Sequence, residues 1–289
     1  MTFISYAQNG EDVVLSRAFT GQKEGFYIDV GACDPVNDSV TLHFYERGWR
    51  GINIEPDAHW FGLLRDARPE DVSLHAAVGN GGGMASFFPA PVRGQGTLDP
   101  AIAARRCSGP PQSVPRMSLT EIVTAHAEGL TIDFLKVDVE GLEAEVLSSI
   151  DLRKIRPRVI LVEAVDEAGE PSHEGWEPSL LAAGYRFALF DGLNRFYCRE
   201  EEAEKLLLRL AAPANVLDNF RLAREIGEQE ALALRERAAR QELDQVLLRE
   251  RAARQELDTI LASTSWRVTE PLRNAKRFAR LCLPRRGPS

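Results

Sequence analysis

Short apolar runs alternate with stretches of helical periodicity between about residue 26 and residue 199. Strands that are buried on both faces give such runs, and crossover helices give apolar positions three and four residues apart. The runs predict strands at residues 26–30, 51–55, 73–78, 133–137 and 158–162. The helical patterns predict helices at residues 39–47, 58–67, 118–127, 142–150 and 176–183. This alternation predicts an α/β fold with a parallel central sheet.

The pattern changes near the end of this region. Two short runs at residues 186–190 and 195–198 flank the turn sequence DGLN, which predicts a closing antiparallel hairpin. A glycine-rich turn at residues 79–83 precedes a further predicted strand at residues 84–88. Residues 90–115 are rich in proline and glycine, and we expect a loop there that either covers a site or follows the surface.

The chain beyond residue 200 has a different character. Residues 201–230 predict a helical linker, and the sequence LRERAARQELD then occurs at residues 234–244 and again at 248–258, a shift of two heptads. One heptad column is apolar throughout, whereas the neighbouring column alternates glutamate with leucine. Residues 231–262 therefore predict either a weak coiled coil that self-associates or a single amphipathic helix.

Residues 263–289 form a basic tail. A helix is predicted to begin after Thr269, with an apolar stripe beside several arginines. Such a helix either contacts an anionic membrane surface or is simply solvated, and both interpretations stay open. The stretch STSWRVTEPLR also resembles a tail found behind bacterial glycosyltransferases and other cell-surface polysaccharide proteins.

Composition restricts the class of protein. Hydrophobic residues make up 44% and charged residues 27% of the 289 residues, as in soluble globular proteins, and the net charge of −8 argues against nucleic-acid binding. No apolar run approaches the ~20 residues that span a bilayer. The four cysteines lie far apart and no signal-peptide pattern is present. These features predict a cytoplasmic protein, either free or peripheral at the inner face of the membrane.

Acidic residues follow the predicted strands. They are Asp29 and Asp34 around Gly31, then Glu55, Asp138, Glu140 and Glu163. Ligands of open α/β sheets bind at the carboxyl ends of the strands, so we expect these side chains to converge. A loop that binds a dinucleotide has more glycines than this one, and the acids found here would repel a pyrophosphate. S-adenosylmethionine fits better, because Asp29 and Asp34 near the first turn suit its cationic methionine end and Glu55 can accept both ribose hydroxyls. Asp34 is therefore also predicted to bind the cofactor.

Four stretches together resemble the FkbM-type family of S-adenosylmethionine-dependent methyltransferases. They are SYAQNGEDVVL, FYIDVGACDPVNDSVTLHFYERGWRGINIEPD, IDFLKVDVEGLEAEVL and PRVILVEAV. The resemblance covers about residues 5–199 and implies a domain over residues 1–200 with a class I methyltransferase (Rossmann-like) fold. It also implies methyl transfer, usually to oxygen, on sugars, glycolipids or secondary metabolites. In this family Asp29, Gly31 and Glu55 are expected to line the cofactor, and the tail favours a glycan or glycolipid acceptor.

An alcohol acceptor needs a base, and three interpretations of the sequence KVDVEG are open. Asp138 or Glu140 is the leading candidate for the base, since a positioned base accelerates such reactions by ~10²- to 10⁴-fold. Alternatively, the two acids cap the following helix. In the third interpretation Asp138, Glu140 and Glu163 share a divalent cation, although no motif fixes the ligand geometry, so no metal ligand is assigned. His173 is an alternative base.

The sequence leaves the roles of two groups of residues open, and two other classes of protein have to be considered. His59, Trp60 and Phe61 are either neighbours of an adenine ring or packing residues, and Gln8, Glu11 and Asp12 either close the site or begin a helix. Two rival classes are a nicotinamide-dependent oxidoreductase and a non-catalytic scaffold. An oxidoreductase of this kind would have a glycine-rich loop, which this sequence lacks. A non-catalytic scaffold would have lost the acids at the strand ends, which this sequence retains.

Overall fold

The computed structural model describes residues 2–166 and 168–282, with side chains up to residue 276. Its contacts divide the chain into one compact unit that ends at Ile226 and a second that begins at Gly227. The division falls later than the predicted boundary at residue 200. The reason is that a strand at Phe220–Leu222 pairs in parallel with one at Phe3–Ser5, so the segment after residue 200 belongs to the first unit.

The described part of the chain has the following elements. The strands are β1 (Phe3–Ser5), β2 (Phe26–Val30), β3 (Arg50–Ile54), β4 (Val72–Leu74), β5 (Ala77–Val78), β6 (Met84–Phe87), β7 (Gln112–Met117), β8 (Phe134–Val137), β9 (Val159–Glu163), β10 (Tyr185–Phe190), β11 (Asn194–Arg199) and β12 (Phe220–Leu222). The helices are α1 (Glu11–Ala18), α2 (Leu42–Glu46), α3 (Ala58–Ala67), α4 (Pro100–Arg106), α5 (Leu119–His126), α6 (Glu143–Ser148), α7 (Glu177–Ala182), α8 (Ala203–Leu210), α9 (Ala223–Ala262), α10 (Thr264–Val268) and α11 (Glu270–Cys282).

A seven-stranded sheet with the order β10-β11-β9-β8-β2-β3-β4 forms the centre of the first unit. Strands β2, β3, β4, β8 and β9 are parallel, and β11 runs antiparallel to both β9 and β10. The predicted α/β fold with a closing hairpin is therefore confirmed. The sheet separates two apolar clusters, and the carboxyl ends of β2, β3, β8 and β9 meet at one edge.

The main differences from the predicted elements lie between residues 72 and 117. The single strand expected at residues 73–78 is two short strands, and β5 leaves the central sheet to join a small sheet with the order β5-β7-β6. The segment expected to be a loop contains α4 and the start of β7. Asp99 caps α4 in front of Pro100, which is a helix-start signal that the overall glycine and proline content obscured.

The second unit consists mainly of helix α9, which is 40 residues long and contains no buried residue. It is followed by α10 and α11, and α11 begins at Glu270, directly after Thr269 as predicted. No described helix is long and apolar enough to cross a membrane. Self-association and membrane contact stay predictions at this point.

Gly31 lies where the chain leaves β2 and passes the end of β8. Its φ of 77° is in the left-handed region. A Cβ atom built on it would lie 1.8 Å from the backbone oxygen of Asp138. Only glycine therefore permits the two strand ends to approach so closely.

We expect Gly31→Ala to destabilise the protein through both the backbone conformation and this clash. Gly21→Ala is the matched control, because Gly21 has a similar φ of 86° and nothing within 4 Å of the added Cβ. The left-handed conformation alone costs about 1–2 kcal/mol, and overpacking adds about 1–3 kcal/mol at Gly31. Urea unfolding curves measure both losses, and equal losses in the two variants would contradict the close approach.

Candidate active site

A cavity of about 770 Å³ opens at the edge where the carboxyl ends of the central strands meet. Gly31, Glu55, Asp138, Glu140 and Glu163 line it. The segment between β6 and β7 also lines the cavity, through residues 92–98, Ile102, Arg105 and Arg106. The predicted convergence of acids is thus found for most of the strand ends. Of the two alternatives for the segment at residues 90–115, its place in the cavity lining favours the one in which it borders a site.

Glu55 follows β3, and its side chain is only partly available. Its residue is 5% exposed. The two carboxylate oxygens accept hydrogen bonds from the backbone N–H groups of Cys33 and Asp57, each at 2.8 Å. Burial raises the pKa of Glu55 to about 7. A carboxylate has about four acceptor sites, so two stay available for a pair of ligand hydroxyls.

One aromatic residue after β3 reaches the cavity. Trp60 lines it, together with the apolar residues Ile54, Ala77 and Val78. His59 is exposed, whereas Phe61 stacks on His75 with ring centroids 5.1 Å apart. Of the three residues considered for an adenine ring, Trp60 is therefore the one with an accessible stacking face.

Asp29 does not face the cavity, contrary to the expectation that it lines the cofactor. It is 1% exposed, and it accepts a hydrogen bond from the Thr41 hydroxyl at 3.0 Å. Its other carboxylate oxygen lies 3.2 Å from the ammonium of Lys136. A carboxylate in the middle of a parallel sheet has to be paired. Asp29 therefore neutralises the buried ammonium of Lys136 and fixes its position beside the cavity.

Lys136 is the residue of β8 that connects these acids. Its ammonium lies 3.2 Å from Asp29 and 3.3 Å from Asp138, and it donates to the Gly31 carbonyl at 3.1 Å. Burial alone lowers the pKa of Lys136, but the carboxylates of Asp29 and Asp138 outweigh this effect and raise it. Lys136 is therefore a permanent cation in the cavity wall.

Asp34 is also held by protein groups and is absent from the cavity wall. It accepts hydrogen bonds from the backbone of Val36 and Asn37 and pairs with Arg93 at 3.0 Å. Burial opposes ionisation, but these hydrogen bonds outweigh it and lower the pKa of Asp34. The residue predicted to bind cofactor thus fixes the turn after β2 and holds Arg93 of the covering segment.

The turn after β8 brings together Asp138, Glu140 and Glu163. One carboxylate oxygen from each lies within 4.8 Å of the others. Glu140 has a φ of 56° and pairs with Arg106. The alternative that Asp138 and Glu140 cap the next helix is not observed, because Glu143 accepts from the N–H groups of Val139 and Gly141 instead.

The clustering of acids changes their protonation. Burial, and then the neighbouring carboxylates of Asp138 and Glu140, raise the pKa of Glu163 to about 9. Burial also raises the pKa of Glu140, against the effect of Arg106. Glu163 is consequently a neutral carboxyl group near pH 7, and the cluster carries one proton that can be shared.

The distances within the cluster are also compatible with a shared divalent cation. The ammonium of Lys136 already supplies a positive charge 3.3 Å from Asp138. A divalent cation shared by the three acids accordingly stays open as an alternative, and no residue is assigned as its ligand.

His173 lies outside the cavity wall, although Ser172 beside it is part of the wall. Its ring is 3.8 Å from the Glu177 carboxylate and packs edge-on against Trp176. This placement gives His173 no direct path to a ligand in the cavity. The structure therefore does not favour His173 as the base.

The N-terminal segment contributes one residue to the cavity, Gln8. Glu11 and Asp12 begin α1 instead, and both are buried. Glu11 accepts from the Asn194 side chain at 2.8 Å, and Asp12 accepts from the Ser5 hydroxyl at 2.6 Å. Glu11 and Asp12 are therefore found at a helix start, as one of the two expectations had it, and Gln8 is the residue of the three that lines the cavity.

Several residues of the site were missed by the sequence pattern. Lys136 and Glu143 flank the acids of KVDVEG and were visible there, but nothing in the pattern indicated which acids they contact. Arg93 and Arg106 lie in the covering segment. Their pairing with Asp34 and Glu140 depends on how that segment folds over the sheet edge.

Comparison with known families identifies the domain. A family described as the methyltransferase FkbM domain matches residues 29–187, which is more than half of the 289-residue chain. The chain belongs to this family. It is an S-adenosylmethionine-dependent methyltransferase, which decides between the three classes that the sequence pattern left open.

Solved structures of other methyltransferases are similar to this FkbM-family chain at low identity. A TehB-like SAM-dependent methyltransferase from Corynebacterium glutamicum has 8% identity and a TM-score of 0.37, with 65% of this chain and 87% of that chain covered. Precorrin-6y C5,15-methyltransferase from Geobacter metallireducens has 11% identity and a TM-score of 0.36, with coverages of 65% and 86%. No curated protein matched the sequence.

The residues present fit S-adenosylmethionine. Glu55 has acceptor capacity left for the ribose hydroxyls, and Trp60 offers a face for the adenine ring. Carboxylates outnumber cationic side chains among the described residues around the cavity, which suits a ligand with an ammonium and a sulfonium. When bound, the cofactor supplies an electrophilic methyl group.

We expect Glu55→Gln to weaken binding of S-adenosylhomocysteine by about tenfold to 100-fold, because a charged hydrogen bond contributes about 1.5–3 kcal/mol. In the wild type, the carboxylate form is the one expected to accept from both hydroxyls, and the pKa of Glu55 is about 7. Affinity should therefore rise as the pH increases through 7, and this rise should be lost in Glu55→Gln. Isothermal titration measures both effects.

The exposed Glu24→Gln is the matched control and should bind normally at every pH. Unchanged affinity of Glu55→Gln would contradict the assignment of Glu55 to the ribose. A loss of affinity without any change in its pH dependence would show that the carboxylate charge is not what the ligand recognises.

Proposed function

We propose that this methyltransferase is an O-methyltransferase that acts on a hydroxyl group of a sugar-containing acceptor. The observation that carries the proposal is the cluster of Asp138, Glu140 and Glu163 beside Lys136 in the cavity wall. An alcohol has to lose its proton as it attacks a methyl group, and this cluster offers a carboxylate that can take the proton.

Asp138 is the proposed base. It follows the central strand β8, and its side chain is 32% exposed, so a ligand in the cavity can reach it. Lys136 lies 3.3 Å from one of its oxygens and fixes its direction. Glu140 is less suited to this role because its carboxylate is already paired with Arg106.

Glu163 and Glu140 have supporting roles in this proposal. With a pKa of about 9, the Glu163 carboxyl group keeps its proton near pH 7 and can donate a hydrogen bond to the acceptor or to Asp138. Arg106 connects Glu140 to the segment between β6 and β7, so that this segment borders the cavity next to the cluster. Exclusion of water there favours transfer to the bound acceptor over side reactions.

Two observations support a sugar as the carrier of the hydroxyl group. The cavity wall combines carboxylates with Arg93, Arg106 and Gln8, which are groups that bind several hydroxyls at once. The tail sequence STSWRVTEPLR resembles tails of cell-surface polysaccharide proteins. Surface polysaccharide or glycolipid assembly is therefore the proposed setting, and the hydroxyl of a secondary metabolite is the alternative.

The acceptor class is tested with S-adenosylmethionine carrying a labelled methyl group. Monosaccharides, nucleotide sugars, lipid-linked sugars and phenolic or polyketide alcohols are assayed in parallel. Label in a sugar product that withstands mild alkali identifies a methyl ether and supports the proposal. Label only in the non-sugar alcohols, in an alkali-labile ester or on nitrogen would contradict it.

We expect Asp138→Asn to lower turnover by about 10²- to 10⁴-fold with little change in cofactor affinity, because it removes basicity but keeps size. Glu140→Gln should have a smaller effect. The surface variant Asp66→Asn is the matched control. Wild-type turnover in Asp138→Asn, measured with the best acceptor of the panel, would show that this carboxylate is not the base.

The pH profile tests Glu163 separately. Because the neutral carboxyl group is the proposed form and its pKa is about 9, wild-type turnover should fall as the pH rises through 9. Glu163→Gln stays neutral at every pH, so its profile should lack this alkaline fall. A fall of the same size in both proteins would assign it to another group.

A further inference from the structure

Helix α9 exposes a row of large apolar side chains along its length. Leu232 and Leu243 are each 57% exposed, Val246 is 53%, Leu257 is 54% and Ile260 is 47% exposed. No residue of this 40-residue helix is buried. A helix of that length measures about 60 Å, and an isolated amphipathic helix in water gains little from its apolar side unless another surface covers it.

The apolar row follows a heptad repeat. Residues four and three apart in alternation form one line along the helix, which we call the seam: Leu232, Glu236, Ala239, Leu243, Val246, Glu250, Ala253, Leu257 and Ile260. This 3.5-residue period is the one that two supercoiled helices share. The occupant of the seam must therefore be a helix that tolerates glutamates at two of its positions.

A parallel, in-register pair of α9 helices is disfavoured by charge. It would place Glu236 against Glu236 and Glu250 against Glu250 of the second copy, inside the seam. At the flanks it would place Arg235 next to Arg240 of the second copy, and the same contact would recur one repeat later between Arg249 and Arg254. Like charges in these positions select against the arrangement.

An antiparallel pair in one particular register removes each of these conflicts. Leu232 then faces Leu257 of the second copy, and Leu243 faces Val246. In the layers between them Glu236 faces Ala253, and Ala239 faces Glu250. Alanine leaves room for the glutamate methylenes while the carboxylate reaches the solvent.

The flanking charges agree with the same register. Arg235 lies next to Glu256 of the second copy, and Glu242 lies next to Arg249. The two-fold symmetry of the pair repeats both contacts, so each flanking arginine of this set meets a glutamate. Such charge patterns at the flanks of a seam determine partner choice and orientation.

We propose that α9 forms an antiparallel coiled coil with α9 of a second copy of this chain, in the register that places Leu243 opposite Val246. The proposal is independent of the acceptor chemistry, because it uses no residue of the cavity. It makes the enzyme a dimer through its second unit.

The first experiment measures oligomeric state of the full chain by sedimentation equilibrium. The wild type is expected to be a dimer. Leu243→Glu combined with Val246→Glu introduces four charges at the centre of the paired seam and should raise the dimer dissociation constant by at least about 100-fold. Leu234→Glu combined with Leu248→Glu is the matched control, because these residues are 68% and 64% exposed and lie off the seam.

The control variant should stay dimeric, and both double variants should bind S-adenosylhomocysteine as the wild type does. A monomeric wild type, or equal dissociation of the two double variants, would overturn the proposal. A trimer or tetramer would overturn it as well. Retained cofactor binding separates loss of pairing from loss of the folded first unit.

The second experiment determines polarity and register. Chains with Leu232→Cys and chains with Leu257→Cys are mixed and oxidised, and the linked peptides are identified by mass spectrometry so that native cysteines are distinguished. The antiparallel register predicts links between position 232 of one chain and position 257 of the other. Links of position 232 to itself would indicate parallel helices and overturn the proposal.

Discussion

The buried ammonium of Lys136 is the interaction on which the active site depends. It lies at the carboxyl end of β8, between Asp29 of the neighbouring strand β2 and Asp138 of the turn that follows. The ammonium of Lys136 and the carboxylate of Asp29 are both buried and are stable there only when paired. The ion pairs therefore fix the ends of both strands, and the Gly31 carbonyl, which also accepts from Lys136, fixes the turn between them.

The same charge balance extends into the interior of the sheet. Asp29 accepts from Thr41, and the Thr41 hydroxyl in turn accepts from Arg68 at 2.6 Å. Arg68 is 1% exposed and also donates to the Pro35 carbonyl at 2.8 Å, which belongs to the turn after β2. A change at this distant arginine would consequently reach the cavity through two hydrogen bonds and one ion pair.

The central strands were predictable because they are buried on both faces, which leaves apolar runs of a length typical of strands. Strand β7 was not predictable from the sequence. It belongs to the small sheet, and Pro115 together with its mixture of buried and exposed positions interrupts the apolar pattern. Glu55 was correctly expected at the cavity, whereas Asp29 was not distinguishable from it in sequence. Asp29 and Glu55 are both acids at strand ends. Only the position of Lys136 on the neighbouring strand shows that Asp29 forms an ion pair with it and does not face the cavity.

The acids at this edge of the sheet differ in how their charge is stabilised, because few ionised carboxylates can lie close together in one cavity. Asp29 and Asp34 are neutralised by cations, and Glu55 is satisfied by backbone N–H groups. Glu163, at the end of β9, is buried next to acids that exceed the neighbouring cations, and burial together with these carboxylates lets it retain a proton near pH 7. That proton is the consequence of burying one carboxyl group next to other carboxylates. The proposed proton transfer thus uses the same excess of acids that the rest of the sheet edge avoids.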